Sequence, residues 1–531
     1  MAWPMSIRRM RRVCAGLWLW LALAGCAGAA AAADSPPGMA VRYSAKARPL
    51  AEVLQDIAAR SGIRFRLATG LGRERISAEA QGGSWPEALG ALLQGYNYAV
   101  EAGPGGVWQT VRIVGKNGDG KDAPALPKPA GRPALAARPA GLPVRFQGFK
   151  PESVTPVTLP VATLKAMKKG QKFALELPGG RQSLVHDNRF AHGNGETTWV
   201  GYSEQDGLPY RTLITLGQSG PMGYVMTAEG NYQIVTEGGQ SYLIDLDAAG
   251  LQAGSLLEDQ AAPNPGGGLR GAAAAEAGRA DGTNPAAEAV PGASVTIDLL
   301  VLHSKGLAQA ATRVNHLAAL ANQAFLDSKV NAQIRIVHRE AVDYTEANDN
   351  AQALSDLSEG RAPFGKVAAW RDQYGADLVA LIRPFRAEAQ KNCGIAWVNG
   401  GGGSALDPSL AYSVVGDGND QGGSLLYCGE HTLAHELGHN LGNVHDRPFS
   451  ASPGAYPYSY AWGVEGLFGT IMSYRQPTVP LFSTPLLGDA CRGQPCGYAE
   501  GEPDASDNAK TINQTAPAVA GFRPAAADKA K

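Results

Sequence analysis

Cysteine is missing from everything between Cys26 and Cys393, and neither sign of charge is in excess. The 47 Lys and Arg against 48 Asp and Glu give a formal net charge of −1 over 531 residues, so the chain carries no basic footprint for nucleic acid. Hydrophobic runs long enough to cross a bilayer are also missing. The apolar stretch from Val13 to Ala24 is too short, and its basic flank, Arg8 to Arg12, marks it as a targeting segment. No acidic cluster has the spacing of a calcium loop, which leaves a structural calcium without support. No repeat of fixed period stands out. A chain of this length exceeds one hydrophobic core, and three or four domains are expected.

The targeting segment ends Leu23-Ala24-Gly25-Cys26, which resembles the lipobox of bacterial lipoproteins. That resemblance implies a signal peptide over 1–25, lipidation of Cys26 and, because Ala27 offers no acidic retention signal, an outer-membrane anchor. The alternative is ordinary signal cleavage after Ala31-Ala32-Ala33, giving a secreted or periplasmic protein. Either route leads out of the bacterial cytoplasm, and membrane contact is expected only through the anchor. The four late cysteines, Cys393, Cys428, Cys491 and Cys496, suit that compartment. An even count in one exported domain reads as two disulfides, with three pairings open. A Cys491–Cys496 bond closes a short loop and leaves Cys393 with Cys428. Their spacing is not that of a zinc ribbon or finger.

Between a tether at 26–37 and a tail at 524–531, composition marks three folded units. Residues 38–116 form a small α/β pattern. Leu50, Val53, Leu54, Ile57 and Ala58 keep helical spacing between Pro49 and Gly62, and Ile63–Leu67 alternates as a strand. A second helix starts at Pro86, and strands follow at Tyr96–Val100 and Trp108–Val114. This unit resembles the short N-terminal domain of secretins and TonB-dependent receptors, which implies a cell-envelope protein partner. Residues 117–142, rich in Lys, Pro and Ala, read as a linker. From 143 to 250, strand patterns at Phe173–Leu177, Thr197–Tyr202, Tyr210–Leu216, Tyr224–Thr227, Tyr232–Val235 and Tyr242–Asp245 argue a β-sandwich or a small antiparallel sheet. Residues 251–292, with few large apolar side chains, read as a flexible linker.

Residues 293–523 alternate strands and helices. Strand Val295–Leu302 precedes a long helix whose Val314, Leu317, Ala318, Ala321 and Phe325 face the core. Strand Ile334–Val337, a helix around Pro363–Tyr374 and strand Asp377–Ile382 follow. Within this unit lies His435-Glu436-Leu437-Gly438-His439-Asn440-Leu441-Gly442-Asn443-Val444-His445-Asp446. His435 and His439, four apart, present both imidazoles from one helix face to one metal. Glu436 sits about 100° round the helix, placed to hold a metal-bound water without being a ligand. Gly442 lets the backbone leave the helix, and the returning chain brings His445 as a third nitrogen. Three imidazoles with an open fourth position suit a catalytic zinc, since structural zincs close all four.

The motif HExxHxxGxxHD resembles that of the metzincin zinc peptidases, and HELGHNLGxxHD the reprolysin (adamalysin)-like branch. Thr470-Ile471-Met472-Ser473-Tyr474 is similar to the family's methionine turn, and Asn392 to Trp397 to the edge strand of its substrate cleft. The implied fold is an α/β catalytic domain, a mixed twisted sheet with a zinc helix packed beneath. The implied activity is metalloendopeptidase: hydrolysis of peptide bonds in a protein or peptide substrate by zinc-activated water, with Glu436 as general base. The resemblance implies one Zn²⁺ on His435, His439 and His445, a structural role for Asp446 and a floor at Met472. Tyr474 departs from the reprolysin turn and is more like that of astacins and serralysins. That implies a fifth ligand or an oxyanion donor; the other reading is a packed tyrosine with a bonded hydroxyl. Gly195–Gly201 and Gly230-Asn231-Tyr232 resemble the β-rich prosegment of such bacterial enzymes. That block has no thiol, which excludes a cysteine switch, and His186 and His192 read as exposed loop residues. The competing function is a non-catalytic periplasmic binding or assembly factor with a vestigial zinc domain, against which the intact Glu436 and three histidines count.

Overall fold

The computed structural model describes residues 41–67, 71, 74–82, 84–102, 108–116, 143, 146, 148–254, 259–261 and 295–525. The stretch read as a targeting segment, with Cys26, the stretch read as a linker at 117–142 and most of 251–292 lie outside the described residues. Among the described residues, no helix is long and apolar enough to cross a membrane.

The first unit runs β1 (Val41–Pro49), α1 (Leu50–Ser61), β2 (Arg64–Leu67), β3 (Arg75–Gly82), α2 (Trp85–Leu92), β4 (Tyr96–Ala102) and β5 (Trp108–Lys116). Helix α1 stops where Gly62 turns to φ 72°, and α2 starts at Ser84, whose hydroxyl accepts the Glu87 N–H. Strand β1 pairs with β3, while β5 lies between β2 and β4. Leu50, Val53, Leu54 and Ile57 meet Leu89, Leu92 and Val111 in a core of this unit's own.

The second unit is a single antiparallel sheet, which decides between the two arrangements its strand pattern allows. It contains β6 (Val154–Val157), α3 (Val161–Ala166), β7 (Lys172–Leu177), β8 (Gly180–Ala191), β9 (Thr197–Ser203), β10 (Gly207–Gly217), β11 (Gly220–Met226), β12 (Asn231–Glu237) and β13 (Gln240–Asp245). Strands β7 to β13 follow one another as an up-and-down meander, and β6 returns beside β13. Alternation gives the sheet two buried faces. Trp199, Ile214, Val225, Ile234 and Leu243 pack with Leu164 of α3 on one side. Val200, Leu213, Tyr224 and Val235 face the third unit on the other. His186 is not an exposed loop residue: it sits in β8, 4 % exposed, stacked on Trp199 with ring centres 5.3 Å apart. His192 is half-buried, its Nε2 2.8 Å from Thr198 Oγ1.

The third unit contains β16 (Val295–Ser304), α4 (Ala310–Asp327), β17 (Ala332–Val342), α5 (Asn350–Ser358), α6 (Val367–Tyr374), β18 (Leu378–Pro384), α7 (Ala387–Gln390), β19 (Gly394–Trp397), β20 (Tyr412–Asn419), β21 (Leu426–Cys428), α8 (Thr432–Asn440), β22 (Gly463–Val464), β23 (Phe468–Gly469) and α9 (Asn508–Val519). Strands β17, β16, β18 and β20 are parallel neighbours in that order, and β19 is added antiparallel to β20. The fully buried β18 opens with an unbroken apolar run, Leu378 to Ile382, for that reason.

Helix α4 is buried on nearly every side, polar residues included. One face lies on the parallel sheet; the other lies on the meander. Charges that would be costly alone are therefore paired across the contact. The Arg313 guanidinium donates to Asp417 at 2.7 Å and to Glu430 at 2.6 Å, and Glu430 also accepts from Gln233 of β12 at 2.7 Å. Glu196 accepts from Thr312 and Asn315 of α4, each at 2.7 Å, and Arg211 of β10 is paired with Asp327.

The stretch read as a linker is partly structured. Strand β14 (Gln252–Ala253) pairs with β21, and β15 (Gln260–Ala261) pairs parallel with β19. Gly254 is required at its position, because a Cβ there would stand 2.7 Å from Cys393 Sγ. Two disulfides form, Cys393–Cys428 and Cys491–Cys496. The first ties the start of the edge strand to the segment leading into α8.

Candidate metal centre and active site

Helix α8 carries His435 and His439, and its end explains the return of the chain. Gly442 adopts φ 88°, its N–H bonds His439 O at 3.0 Å, and the Asn443 N–H bonds Gly438 O at 3.0 Å. This double closure turns the backbone so that His445 faces the helix. Gly438 leaves room for Met472, whose Sδ a Cβ at 438 would strike. The methionine thus lies directly under the helix that holds the ligands.

The three imidazoles converge, with His435 Nε2 and His445 Nε2 3.1 Å apart. Their other nitrogens are engaged. His435 Nδ1 lies 2.6 Å from Ile471 O and His439 Nδ1 2.9 Å from Asn443 O, so each donates there and leaves an Nε2 lone pair for the centre. The Gln260 amide nitrogen lies against His445 Nδ1.

A fourth group enters from outside the motif. Asp259, fully buried, places Oδ1 2.8 Å from His445 Nε2 and Oδ2 3.1 Å from His435 Nε2. One ligand atom from each of Asp259, His435, His439 and His445 fits within a 4.8 Å span. Composition hides Asp259, because it sits in a stretch rich in Gly and Ala. The signal present was local: Leu256-Leu257-Glu258-Asp259 is an island of large and acidic residues within that stretch. His186 and His192 belong to the meander and are absent from this cluster.

The fit of zinc to these residues can be tested on the unpaired atoms. His439 Nε2, Asp259 Oδ2 and both Glu436 oxygens are buried with no hydrogen-bond partner among the described residues. Three neutral imidazoles and a carboxylate around one point form a donor set suited to Zn²⁺, and buried polar atoms without partners are costly unless a cation meets them. The residues fit.

Glu436 is fully buried beside the cluster, in space that only Gly394 of β19 leaves: a Cβ at 394 would stand 2.7 Å from Glu436 Cδ. Burial, and then the charge of Asp259, push its carboxyl well above the usual range. Burial also works to raise Asp259, but His445 and His435 outweigh it and hold that carboxyl well below the usual range. Burial depresses His445 to about 3. Tyr474 donates its hydroxyl to Asp259 Oδ1 at 2.7 Å, and its ring centre is 3.9 Å from that of His445. Burial and Asp259 together raise its phenol. Ser473 donates to Asp446 Oδ2 at 2.6 Å, joining the residue after His445 to the methionine turn. His431, at the start of α8, points away from the cluster and meets Tyr224 of the meander edge-on, ring centres 6.0 Å apart.

An α/β unit with a helix-borne histidine pair, a third histidine after a glycine turn and a buried glutamate is the architecture of a zinc-dependent hydrolase. Comparison with known proteins narrows this. Residues 295–501 match the family described as metallo-peptidase family M12B, reprolysin-like, and residues 140–249 match the BamI lipocalin-like domain. The chain is 32 % identical over 271 residues to the peptidyl-Asp metalloendopeptidase of Pseudomonas aeruginosa strain PAO1, covering 45 % of this chain and 42 % of that protein. The chain thus spans less than half the length of this relative. Among solved structures, metalloproteinase-II from Bacteroides fragilis aligns at TM-score 0.35 and 13 % identity over 57 % of this chain and 83 % of its own. A chain from a chaperone–substrate complex aligns at TM-score 0.34 and 21 % identity, over 44 % of this chain and 36 % of its own. The family match and the relative support a metzincin-like metallopeptidase domain next to a separate lipocalin-like domain.

Proposed function

We propose that this chain is an exported zinc-dependent endopeptidase in which His435, His439 and His445 hold the metal and Glu436 is the general base. The observation that carries this reading is the convergence of three Nε2 atoms, two with their Nδ1 partners fixed by backbone carbonyls, beside a buried carboxylate that has no other partner. Zinc, when bound, supplies a Lewis acid that lowers the pKa of a water to about 7. Glu436, buried beside the metal centre, accepts a proton from the attacking water and delivers it to the leaving amine. Edge strand β19 offers backbone groups along which an extended peptide can align beside Glu436. Tyr474, once free of Asp259, is placed to donate its hydroxyl to developing negative charge on the substrate carbonyl. The name of the relative makes peptide bonds at aspartate the first substrates to assay. Export rests on the targeting segment, and the unit at 41–116 is proposed to dock a cell-envelope protein. Residues 34–531 and their Glu436→Ala and His439→Ala variants test the reading. Expected are one bound zinc in the first two and none in the third, with chelator-sensitive cleavage lost in both variants. Absence of metal from the unsubstituted chain, or cleavage that survives Glu436→Ala, would overturn it.

A further inference from the structure

We infer that Arg475 is a specificity-determining residue, whose guanidinium receives the side-chain carboxylate of an aspartate beside the scissile bond. This deepens the peptidase reading above and rests on it. From Glu430 to Asp489, the stretch that holds the zinc helix, the third histidine and the methionine turn, Arg447 and Arg475 are the sole Lys or Arg residues. Arg447 is already engaged: its guanidinium donates to Ala505 O at 2.7 Å and lies over the Tyr460 ring, 4.1 Å from the centroid. Arg475 is not. Asp446 Oδ2 and Glu465 Oε2 each stand 3.9 Å from its guanidinium, outside hydrogen-bond range. Its Nε is buried with no acceptor among the described residues. Such a donor is costly to leave unmet, and a carboxylate is the acceptor whose two oxygens fit the planar guanidinium fork.

The local structure places this group at the metal centre and fixes its stem. The Arg475 N–H donates to Ser473 Oγ at 3.0 Å, and Ser473 in turn holds Asp446, the neighbour of His445. Tyr474, the residue before it, lays its ring against His445. A hairpin is shaped to receive the stem. Gly463 of β22 pairs with Gly469 of β23. A Cβ at 463 would stand 3.0 Å from Arg475 Cδ, and one at 469 would strike Arg475 O. The side chain keeps 23 % of its surface exposed, so a peptide can reach it. An incoming carboxylate displaces no hydrogen bond of Nε, whereas an asparagine side chain brings no charge and a single oxygen. The bland alternative is that Arg475 only balances the charge of Asp446.

The test uses the full chain and two peptides identical except for Asp or Asn at one position, with products located by mass spectrometry. The variants are Arg475→Gln, Arg475→Lys as the conservative replacement, and Arg447→Gln as a control for the loss of one positive charge. The parent is expected to cut the Asp peptide beside that residue with kcat/KM about 10- to 100-fold above the Asn peptide, the range of one charge-assisted hydrogen bond. Arg475→Gln should abolish this preference, with the loss on the Asp peptide falling in KM, as removal of ground-state binding requires. Arg475→Lys should restore part of the preference, since an ammonium keeps the charge without the fork. Arg447→Gln should keep all of it. A loss that strikes both peptides equally through kcat would show the charge-balancing role and overturn the inference, as would an unchanged ratio in Arg475→Gln. A parent that cuts both peptides alike would overturn it while leaving the peptidase standing. A zinc-loaded parent that cleaves neither these peptides nor an unfolded protein would remove the peptidase reading itself, and the inference with it.

Discussion

Replacing Gly394 by Ala puts a methyl group where the side chain of Glu436 now lies. A Cβ at 394 would stand 2.7 Å from Glu436 Cδ and 2.9 Å from Cγ, against an ordinary carbon–carbon contact of about 3.5–4.0 Å. Gly394 is not among the residues with positive φ, so the change acts through this overlap and not through the backbone. Glu436 has no exposed surface to move into. Its carboxylate must shift by roughly 1 Å, and misplacement on that scale costs on the order of 100-fold in rate. Overpacking of the site should also cost about 1–3 kcal/mol of stability. The assay is kcat/KM on an unfolded protein, with metal content and urea denaturation measured on the same samples. The expected result is a loss of about 100-fold in rate with metal still bound. A variant that keeps its metal and loses less than about threefold would refute the claim that the position of Glu436 against β19 sets the rate.

Three further outcomes follow from the packing. Arg313→Met leaves Asp417 and Glu430 buried without their shared cation and should destabilise the chain by about 3–5 kcal/mol in denaturant unfolding; a loss below about 1 kcal/mol would mean the carboxylates find other partners. Joint replacement of Cys393 and Cys428 by Ser opens a loop of 35 residues in sequence separation and should cost about 3–4 kcal/mol on the chain-entropy argument, read as a lower urea midpoint than the oxidised parent; equal midpoints would argue against it. Burial depresses His192 to about 4, with Glu196 opposing and Arg339 adding to the shift. The unfolded chain, with an ordinary histidine, therefore binds the extra proton first, and this contribution to stability is full above pH 6.5 and lost as pH falls towards 4. Between pH 6.5 and 5 the loss is about 1 kcal/mol once partial solvent access is allowed for. Asp377, raised to about 6 by burial, works in the opposite direction, so the measurement is the difference in pH dependence between the parent and His192→Gln. Identical curves would refute the assignment.

What sequence shows here depends on how local the determinants are. His435, Glu436, His439, Gly442 and His445 lie within twelve consecutive residues, so helix geometry and one glycine fix their arrangement in advance. Helix α4 was legible from the spacing of Val314, Leu317, Ala321 and Phe325. The burial of its polar face was not, because Arg313, Asn315 and His316 look solvated until Glu430, Asp417, Glu196 and Thr215 arrive from distant segments. Strand β8 escapes a period-2 reading since Gln182, Ser183, Asp187, Asn188 and Arg189 interrupt its apolar alternation. Asp259 is the largest omission at the site. Its meaning comes only from contacts with α8 and β19, and a segment that seats itself on another unit needs few large side chains of its own.

The two-sided burial of α4 separates cutting from shedding. Its residues Leu320 and Ala324 share one interior with Leu213 and Tyr224 of the meander and with Ile297 and Ala380 of the parallel sheet. A break in the chain anywhere between 261 and 295 would leave a nicked particle of two pieces that stay assembled, since parting them would expose Arg313, His316 and the apolar side chains around them to water. The lipocalin-like unit would then persist as a lasting wall of the mature molecule, unlike a propeptide that departs after use.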